Sequence, residues 1–389
     1  MTPRISRCFK LNFVFLNVFG IWPVNKNGTY YRYYSISFVF ISLCVYNLLL
    51  TLNLVYTPHK IEILIREVVF YFTEIAVTGK VVMILMKRSD ILNVLNYLDC
   101  EAFQGQDDIS RIIIKLHITK YKLYWKIYAL ISNFAYFSQI LLPLVLYFIF
   151  NTTLELPICK YFFLNDHYIQ KYFIYLFIYQ SVGMYGHMSY NVNIDTLISG
   201  FIFMAITQLR VLNYKLKHFK ISKKKLRNCT QSMELLELKR LLKHYDGILS
   251  YCSKIQQILS MSLFVQFGMA SAVICAILCG MLLQTSRESL IFMISYLFAM
   301  TLQIFVPAYL GSILSNESQE LVFAAYCAEW MPRTKPFKNS INIFLTRANR
   351  KITITALKMF PLSLDTFTWI MKTAYSLLTV IRNIQNQQN

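Results

Sequence analysis

The last apolar stretch of the chain, residues 359–381, carries hydroxyl groups at a helical spacing. It is about 23 residues long, and a helix of that length crosses roughly 30 Å of hydrocarbon. Thr373, Ser376, Val380 and Ile384 recur every three to four residues and therefore share one helical face. Several such helices in a ring would form a wettable conduit with an apolar constriction. The alternative interpretation is that this face packs against the protein and its hydroxyls are incidental.

A carboxylate in an earlier apolar stretch is the next candidate for chemistry. Glu74 lies in the sequence VVFYFTEIAV, where a charge costs about 2.5–3.5 kcal/mol unless it is paired or hydrated. We therefore expect it to face the interior of a helix bundle, either as a polar contact in a ligand cavity or paired with Lys80 or a nearby hydroxyl. His187, in a later apolar stretch, is more typical of a structural residue than of a ligand contact.

The sequence has no motif of a known catalytic centre. It lacks the HExxH, GxSxG and phosphate-loop patterns, so we predict that the protein is not an enzyme. Its nine cysteines show neither paired nor zinc-binding spacing, and we predict no metal and no cofactor. The formal net charge of +20 could indicate nucleic acid, but the charges lie between apolar runs, which indicates membrane topology and no nucleic-acid partner.

The composition predicts an all-α, polytopic membrane protein. Hydrophobic residues make up 56% of the chain and charged residues 15%, and several apolar runs reach 18 residues or more. We place seven transmembrane spans near residues 33–55, 66–86, 125–150, 171–209, 258–283, 289–314 and 354–381.

Lysine and arginine residues alternate between the two sides of these spans. Counted with the adjoining span ends, they number five before the first span, and two, seven, two, twelve, one and seven in the connections that follow. By the positive-inside rule the amino terminus is cytoplasmic, and the odd number of spans places the carboxyl terminus outside the cell.

Several segments outside the membrane also have helical patterns. Residues 1–32 are basic and aromatic, and we expect rings such as Phe9 and Trp22 to sit at headgroup depth. The fourth span has no strong breaker, so it should form one helix of roughly 60 Å that continues into the cytosol. A helix at 337–347 has an apolar stripe that must be buried against its own chain or a neighbouring subunit. Further helices are predicted at 109–121 and 231–254.

Three passages resemble the insect odorant receptor family. The sequence PAYLGSILSNESQELVFAAYCAEW at 307–330 is similar to the glycine, serine, tyrosine and tryptophan pattern before the last span of those receptors. The sequence FPLSLDTFTWIMKTAYSLLTVIR at 360–382 is similar to their carboxyl-terminal signature. A weaker match is NVNIDTLISG at 191–200, which has Asp195 in the usual place.

The resemblance implies the tuning subunit of an odorant-gated, non-selective cation channel. Such a subunit forms a heterotetramer with a shared odorant co-receptor subunit, binds a small volatile organic ligand, and lies in the plasma membrane of the olfactory sensory neuron dendrite. Each last span lines a central pore, with the gate at Val380 and with Asn383 and Ile384 beyond it. Lys372 departs from the small residue that would suit a pore helix. The implied odorant pocket lies in the outer half of the bundle and involves Phe70, Tyr71, Glu74, Phe137, Leu141, Met184, Tyr185, Phe292 and Tyr296.

These inferences together divide the chain into four parts. Residues 1–32 are the cytoplasmic interfacial segment, and 33–314 contain six spans, their cytoplasmic helix extensions and the pocket. Residues 315–353 are a cytoplasmic segment that would form an anchor between subunits, and 354–389 are the pore-lining seventh helix with a short outer tail.

Two other classes of receptor have a related topology. A G-protein-coupled receptor has seven spans but the opposite orientation, and the sequence has neither the acidic-Arg-aromatic triplet after span three nor Asn-Pro-x-x-Tyr in span seven. A gustatory-type chemoreceptor channel belongs to the same superfamily, but the Thr-Tyr and Gln-Phe ending expected of it is missing.

Overall fold

The structure, a computed structural model, describes residues 4–23, 29–58, 60–150, 154–219, 227–282 and 287–388. Most of these residues are helical. The α-helices are α1 (Lys10–Val18), α2 (Thr29–Val39), α3 (Tyr46–Tyr56), α4 (Ile61–Met86), α5 (Arg88–Leu98), α6 (Asp108–Phe150), α7 (Asp166–Lys171), α8 (Phe173–Lys217), α9 (Arg227–Leu282), α10 (Arg287–Cys327), α11 (Lys335–Ala348) and α12 (Leu364–Gln388). The same residues include 3₁₀-helices at Ile5–Phe9 and Glu101–Phe103, a π-helix at Phe40–Val45, and two antiparallel strands, β1 (Thr355–Ala356) and β2 (Phe360–Pro361).

Among the described residues, six helices are long and apolar enough to cross a membrane. Each overlaps one of the first six predicted spans, which confirms the predicted all-α membrane fold. The last helix, α12, has 25 residues, but Asp365, Lys372 and Asn383 lower its hydropathy. The six apolar helices are Thr29–Tyr56, Ile63–Met86, Asp108–Ile149, Phe173–Lys217, Ser232–Leu282 and Met293–Cys327.

Three of the membrane helices are longer than the predicted spans. α6 joins the predicted helix 109–121 to the third span, and α9 joins the predicted helix 231–254 to the fifth. α10 continues from the sixth span as far as Cys327. Because no proline or glycine lies at these joints, nothing stops the helix from propagating. α8 is one helix of 45 residues, as predicted for the fourth span.

The seventh predicted span, 354–381, begins too early. Its first residues form the β1–β2 hairpin, and α12 begins only at Leu364. Leu357 and Lys358 turn the hairpin with positive φ angles of 48° and 61°, outside the right-handed helical region. Pro361 follows and has no backbone N–H to donate. The apolar character of this segment therefore reflects packing of a hairpin rather than an extra turn of membrane helix.

α8 is the core helix of the protein. It packs against α1, α4, α6, α9 and α10, and nearly every side chain from Ser189 to Leu212 is buried. A helix that is covered on all sides shows no amphipathic stripe, and the polar residues of α8, such as Asn193, Asp195 and Gln208, are buried together with the apolar ones. These five helices are positioned by their contacts with it.

The amino-terminal segment folds back against this core. Phe9 and Trp22, predicted to sit at headgroup depth, are instead buried in the protein. The Phe9 ring lies 5.1 Å from the Tyr121 ring of α6. Both rings cross α8 at Gly200, where a Cβ atom would lie only 2.5 Å from Phe9. The exposed face of α1 consists of Lys10 and three aliphatic residues, Leu11, Val14 and Val18.

Candidate functional sites

An aromatic cluster joins the first halves of α3, α4 and α8 to the segment that precedes α7. Four of the nine predicted pocket residues, Phe70, Tyr71, Met184 and Tyr296, belong to this cluster or pack against it. The rings of Phe70 and Tyr296 lie 5.8 Å apart at 74°. The buried residues of the cluster are Tyr46, Leu50, Phe70, Leu156, Ile158, Cys159, Tyr161 and Ile169.

A hydrogen-bonded pair of hydroxyls fixes one side of the aromatic cluster. The hydroxyls of Thr73 and Tyr296 are 2.7 Å apart. Thr73 donates to the Val69 carbonyl at 2.8 Å, so Tyr296 must donate to Thr73. This bond ties α10 to α4 beside the rings. The arrangement is a mostly apolar surface with a small number of oriented polar groups, as in sites for small organic ligands.

Glu74 pairs with His187 at the edge of the aromatic cluster. The predicted pairing with Lys80 is wrong, because residues six apart on α4 point to different sides of the helix. The His187 ring stacks on Tyr46 at 4.7 Å, and its Nε2–H donates to the Ser42 carbonyl at 2.6 Å. His187 is thus a satisfied buried residue, as predicted, and Glu74 reaches the cluster through it.

Tyr185, Phe137 and Leu141, also predicted for the pocket, lie away from the cluster. Tyr185 contacts Tyr136 and Phe19, with ring centres 5.1 and 6.1 Å away, on a different side of α8 from Met184. Consecutive residues of a helix point about 100° apart, and this rotation turns the Tyr185 ring towards Tyr136 of α6. Phe137 and Leu141 are 47% and 49% exposed. The side chain of Phe292 lies outside the described part of the chain.

Lys80 forms a second buried polar site, which we call the Lys80–Asp195 network. Its ammonium lies 2.5 Å from the Asp195 carboxylate and 2.6 Å from the Asn191 side-chain oxygen. Gln303 donates to both Asn191 and Asp195, at 3.0 and 3.1 Å, and Tyr128 donates to Asp195 at 3.3 Å. The network therefore links α4, α6, α8 and α10 inside the bundle.

A small cavity adjoins this network. Its volume is about 10 Å³, which accommodates roughly one water molecule and no organic ligand. The lining comes from α6, α8, α9 and α10 and consists of Tyr124, Tyr128, Asp195, Ile198, Ser199, Gln266, Leu302, Gln303, Val306 and Pro307. Within the described residues, no group of three or more His, Cys, Asp or Glu side chains is arranged to hold a metal ion.

α12 is amphipathic. One side packs against the core, and the predicted pore residues lie on the exposed side. Ile370 and Ala374 are buried on the side that meets α9 and α10. Thr373, Ser376, Val380 and Asn383 are exposed, and Val380 is 52% exposed. The side chain of Ile384 lies outside the described residues. The predicted stripe is therefore a free face in the single chain.

Close contacts hold the start of α12 against α10. The Ser312 hydroxyl accepts a hydrogen bond of 2.9 Å from the Leu364 backbone N–H. A Cβ atom on Gly311 would lie only 2.1 Å from the Leu362 carbonyl oxygen, so the two backbones meet where only glycine fits. On α9, the Gln256 amide both accepts from and donates to the Thr355 backbone, at 2.7 Å in each case. The hairpin and α12 are thus fixed as one unit.

The helix extensions beyond the predicted spans are held together by ion pairs. Arg210 on α8 lies 2.6 Å from Glu317 on α10. Burial alone would raise the pKa of Asp107, but hydrogen bonds from Lys215 and Ser110 outweigh it and lower that pKa to about 2. The contact between Asp107 and Lys215 ties the loop before α6 to the end of α8.

The apolar stripe of α11 is buried against its own chain, which decides between the two predicted alternatives for that face. Phe337 and Ile341 pack with Leu238 of α9. The Phe344 ring lies 5.1 Å from the ring of Tyr245, also on α9.

The model of the family described as 7tm Odorant receptor matches residues 60–375. The chain belongs to this family. The receptor is 22% identical to Odorant receptor 94a of Drosophila melanogaster over 95% of this chain and 96% of that protein. Odorant receptor 10 of Aedes albopictus is also 22% identical, over 46% of this chain and 48% of that protein. The structure of the insect olfactory receptor OR5 from Machilis hrabei in complex with eugenol matches with a TM-score of 0.83 over 98% of both chains, at 16% identity.

Membership of this family confirms two predictions, that the protein is an odorant receptor and that it crosses the membrane several times. The odorant receptor family is not a family of enzymes. The two alternative classes, a G-protein-coupled receptor and a gustatory-type receptor, are not favoured. Within the receptor, sequence reasoning missed the Lys80–Asp195 network and the hairpin that anchors α12. A signal existed for the first, because Lys80 is a full charge in an otherwise apolar span and Asp195 lies in a matched passage.

Proposed function

We propose that the receptor is the tuning subunit of an odorant-gated, non-selective cation channel, assembled as a heterotetramer with a shared co-receptor subunit. We assign it to the plasma membrane of olfactory sensory neuron dendrites. The observation that carries the proposal is the free face of α12, where the hydroxyls of Thr373 and Ser376 and the charge of Lys372 lie within the predicted seventh span. Such groups are costly in lipid, so the face must meet water or other subunits.

The proposed orientation has the amino terminus in the cytoplasm and the carboxyl terminus outside. Its support is the alternation of lysine and arginine between the two sides of the spans. Epitope tags at the two ends test it in intact cells. Antibody should label only the carboxyl-terminal tag, and labelling of the amino-terminal tag alone would overturn both the orientation and the direction of the conduit.

The cytoplasmic ends of α8, α9 and α10, together with α11, are proposed as the anchor between subunits. Exposed apolar side chains support this assignment, because they lie beyond the predicted spans and would otherwise contact water. They are Phe323, Tyr326, Met331 and Ile343, which are 58–70% exposed. Patches of this kind mark protein–protein contacts.

We place the odorant site at the aromatic cluster, where the ligand would be a small, mostly apolar volatile compound. The rings provide apolar contact, and the Thr73 and Tyr296 hydroxyls provide orientation. A ligand opens the channel only if it binds the open arrangement more tightly than the closed one. The hydrogen bond from Tyr296 of α10 to Thr73 of α4 is therefore a contact through which a bound ligand can favour the open arrangement.

Replacing Tyr296 with Phe should shift the concentration of odorant for half-maximal current about fivefold, because a hydrogen bond contributes roughly 1 kcal/mol. The measurement is a dose–response curve for each active compound of a volatile panel. Tyr175→Phe is the matched control, since that residue is 73% exposed. Tyr185→Phe should have less effect than Tyr296→Phe. Equal responses of all three variants would remove the aromatic cluster as the odorant site.

Val380 is proposed as the apolar gate, and replacing it with Ser should increase the standing current in the absence of odorant. A serine hydroxyl allows the constriction to hold water and ions, which an apolar ring excludes. Tyr375→Ser is the control, because Tyr375 is 64% exposed but points about 140° away from Val380 around α12. A leak that is the same in both variants, or absent from both, contradicts the assignment of the gate.

The decisive experiment records currents from cells that express the receptor with and without a co-receptor subunit, over a panel of volatiles. We expect cation currents that depend on both subunits and whose odorant profile follows this receptor. If the receptor reaches the cell surface with its partner and no cation current appears at rest or with any compound, the proposed function is wrong.

A further inference from the structure

Lys372 lies within the predicted seventh span, on the free face of α12. It is eight residues after the start of the helix at Leu364, or about 12 Å along the axis. Its side chain is exposed, and no ion pair among the described residues involves it. A full positive charge without an ion pair among the described residues therefore lies on this surface of the chain.

The helical phase of Lys372 shows which way this charge points. Ala374, two residues later and about 200° around the helix, is buried against the protein. Ser376 and Asn383 lie within about 40° of Lys372 and are exposed with it. Lys372 thus lies near the centre of the polar face, and Val380 lies on the flank of the same face.

Three surroundings are open to an exposed lysine at this depth: lipid, the dry surface of a neighbouring subunit, or water in a conduit. Lipid and a dry contact both strip the ammonium of water without supplying a partner. Water in a conduit leaves it hydrated. The next charge on this face is Asp365, seven residues or about 10 Å away along the axis, which is too far for an ion pair.

We propose that Lys372 projects into the ion pathway and lowers the permeation of divalent cations relative to monovalent ones; the inference rests on the proposed channel function. A fixed positive charge repels Ca²⁺ twice as strongly as Na⁺ at the same distance. Across roughly 8 Å of water, the Coulomb energy favours Na⁺ over Ca²⁺ about twofold for each copy of the lysine. The receptor would thus set the calcium fraction of the current as well as the choice of odorant.

The test compares the Ca²⁺-to-Na⁺ permeability ratio of the standing current in cells that co-express full-length receptor and co-receptor. Reversal potentials in bi-ionic solutions give this ratio without a known odorant. Lys372→Gln should raise the ratio about twofold or more. Lys351→Gln is the matched control, because it removes the same charge from an exposed residue outside α12. Tagged receptor at the cell surface verifies that each variant folds.

A Lys372→Cys variant supplies a chemical rescue. Modification with an ethylammonium methanethiosulfonate restores a positive charge and should bring the ratio back towards wild type, whereas the ethylsulfonate reagent should raise it further. Wild-type channels with the same reagents control for the native cysteines. A ratio unchanged in Lys372→Gln and insensitive to both reagents would overturn the inference while leaving the channel function intact. Absence of any cation current in all variants would overturn the channel function, and this inference with it.

Discussion

Replacing Lys80 with Met should lower the folding stability of the receptor by about 3–5 kcal/mol, because Asp195 would keep its buried charge without the partner. The side chains of the pair are 1% and 8% exposed, so bulk water does not reach the carboxylate to compensate its charge. Gln303 and Tyr128 would still donate hydrogen bonds to the carboxylate, but neither neutralises it. The measurement is the melting temperature of detergent-solubilised receptor, together with the amount at the cell surface.

Lys87→Met is the matched control for this change. Lys87 pairs with Asp90 at 3.4 Å just beyond the end of α4, but both side chains are more than 40% exposed. An exposed pair contributes about 0–1 kcal/mol, so this variant should resemble wild type. Equal losses in Lys80→Met and Lys87→Met would show that the buried pair has no special role in stability.

A double variant, Lys80→Met with Asp195→Asn, separates an unpaired charge from lost packing. Asparagine retains a side-chain oxygen that can accept from Gln303 and Tyr128 but carries no charge. Most of the lost stability should therefore return. If the double variant is no more stable than Lys80→Met alone, the cost arises from the shape of the lysine side chain rather than from the charge of Asp195.

The parts of the fold that depend on the length of apolar runs and on the placement of charged residues were predictable from the sequence. α8 has no breaker strong enough to end it, so one long helix was expected and is present. The amphipathic stripe of α11 required a partner, but periodicity alone could not say whether that partner was the same chain. The start of α12 was not predictable, because the hairpin before it is as apolar as a span and depends on contacts with α9 and α10.

The candidate sites were predictable only in part for a related reason. Phe70, Tyr71, Met184 and Tyr296 come together because each is on the side of its helix that faces the aromatic cluster. Choosing residues by their depth in the membrane fixes the position along a helix but not the direction around it. Tyr185 shows the consequence, since it has the right depth and the wrong direction.

Replacing Gly311 with Ala should displace the start of α12 and reduce both the surface level and the current of the receptor. The added methyl group would lie 2.1 Å from the Leu362 carbonyl oxygen, which is backbone and cannot rotate away. Overpacking of this kind costs about 1–3 kcal/mol. The hydrogen bond from the Leu364 N–H to Ser312 would have to stretch or break, because the same two segments must move apart.

Gly268→Ala is the control for Gly311→Ala, because a Cβ atom there meets nothing within 4 Å. Both glycines lie in long membrane helices, so alanine improves helix propensity at each by about 1 kcal/mol, and only the contact with Leu362 differs. Gly268→Ala should therefore be as stable as wild type or more so, with normal currents. Surface levels and melting temperatures of the two variants, measured side by side, provide the comparison. If Gly311→Ala behaves like Gly268→Ala, α10 does not hold the start of α12 by this contact, and movement of α12 must be controlled from α9 or from a neighbouring subunit.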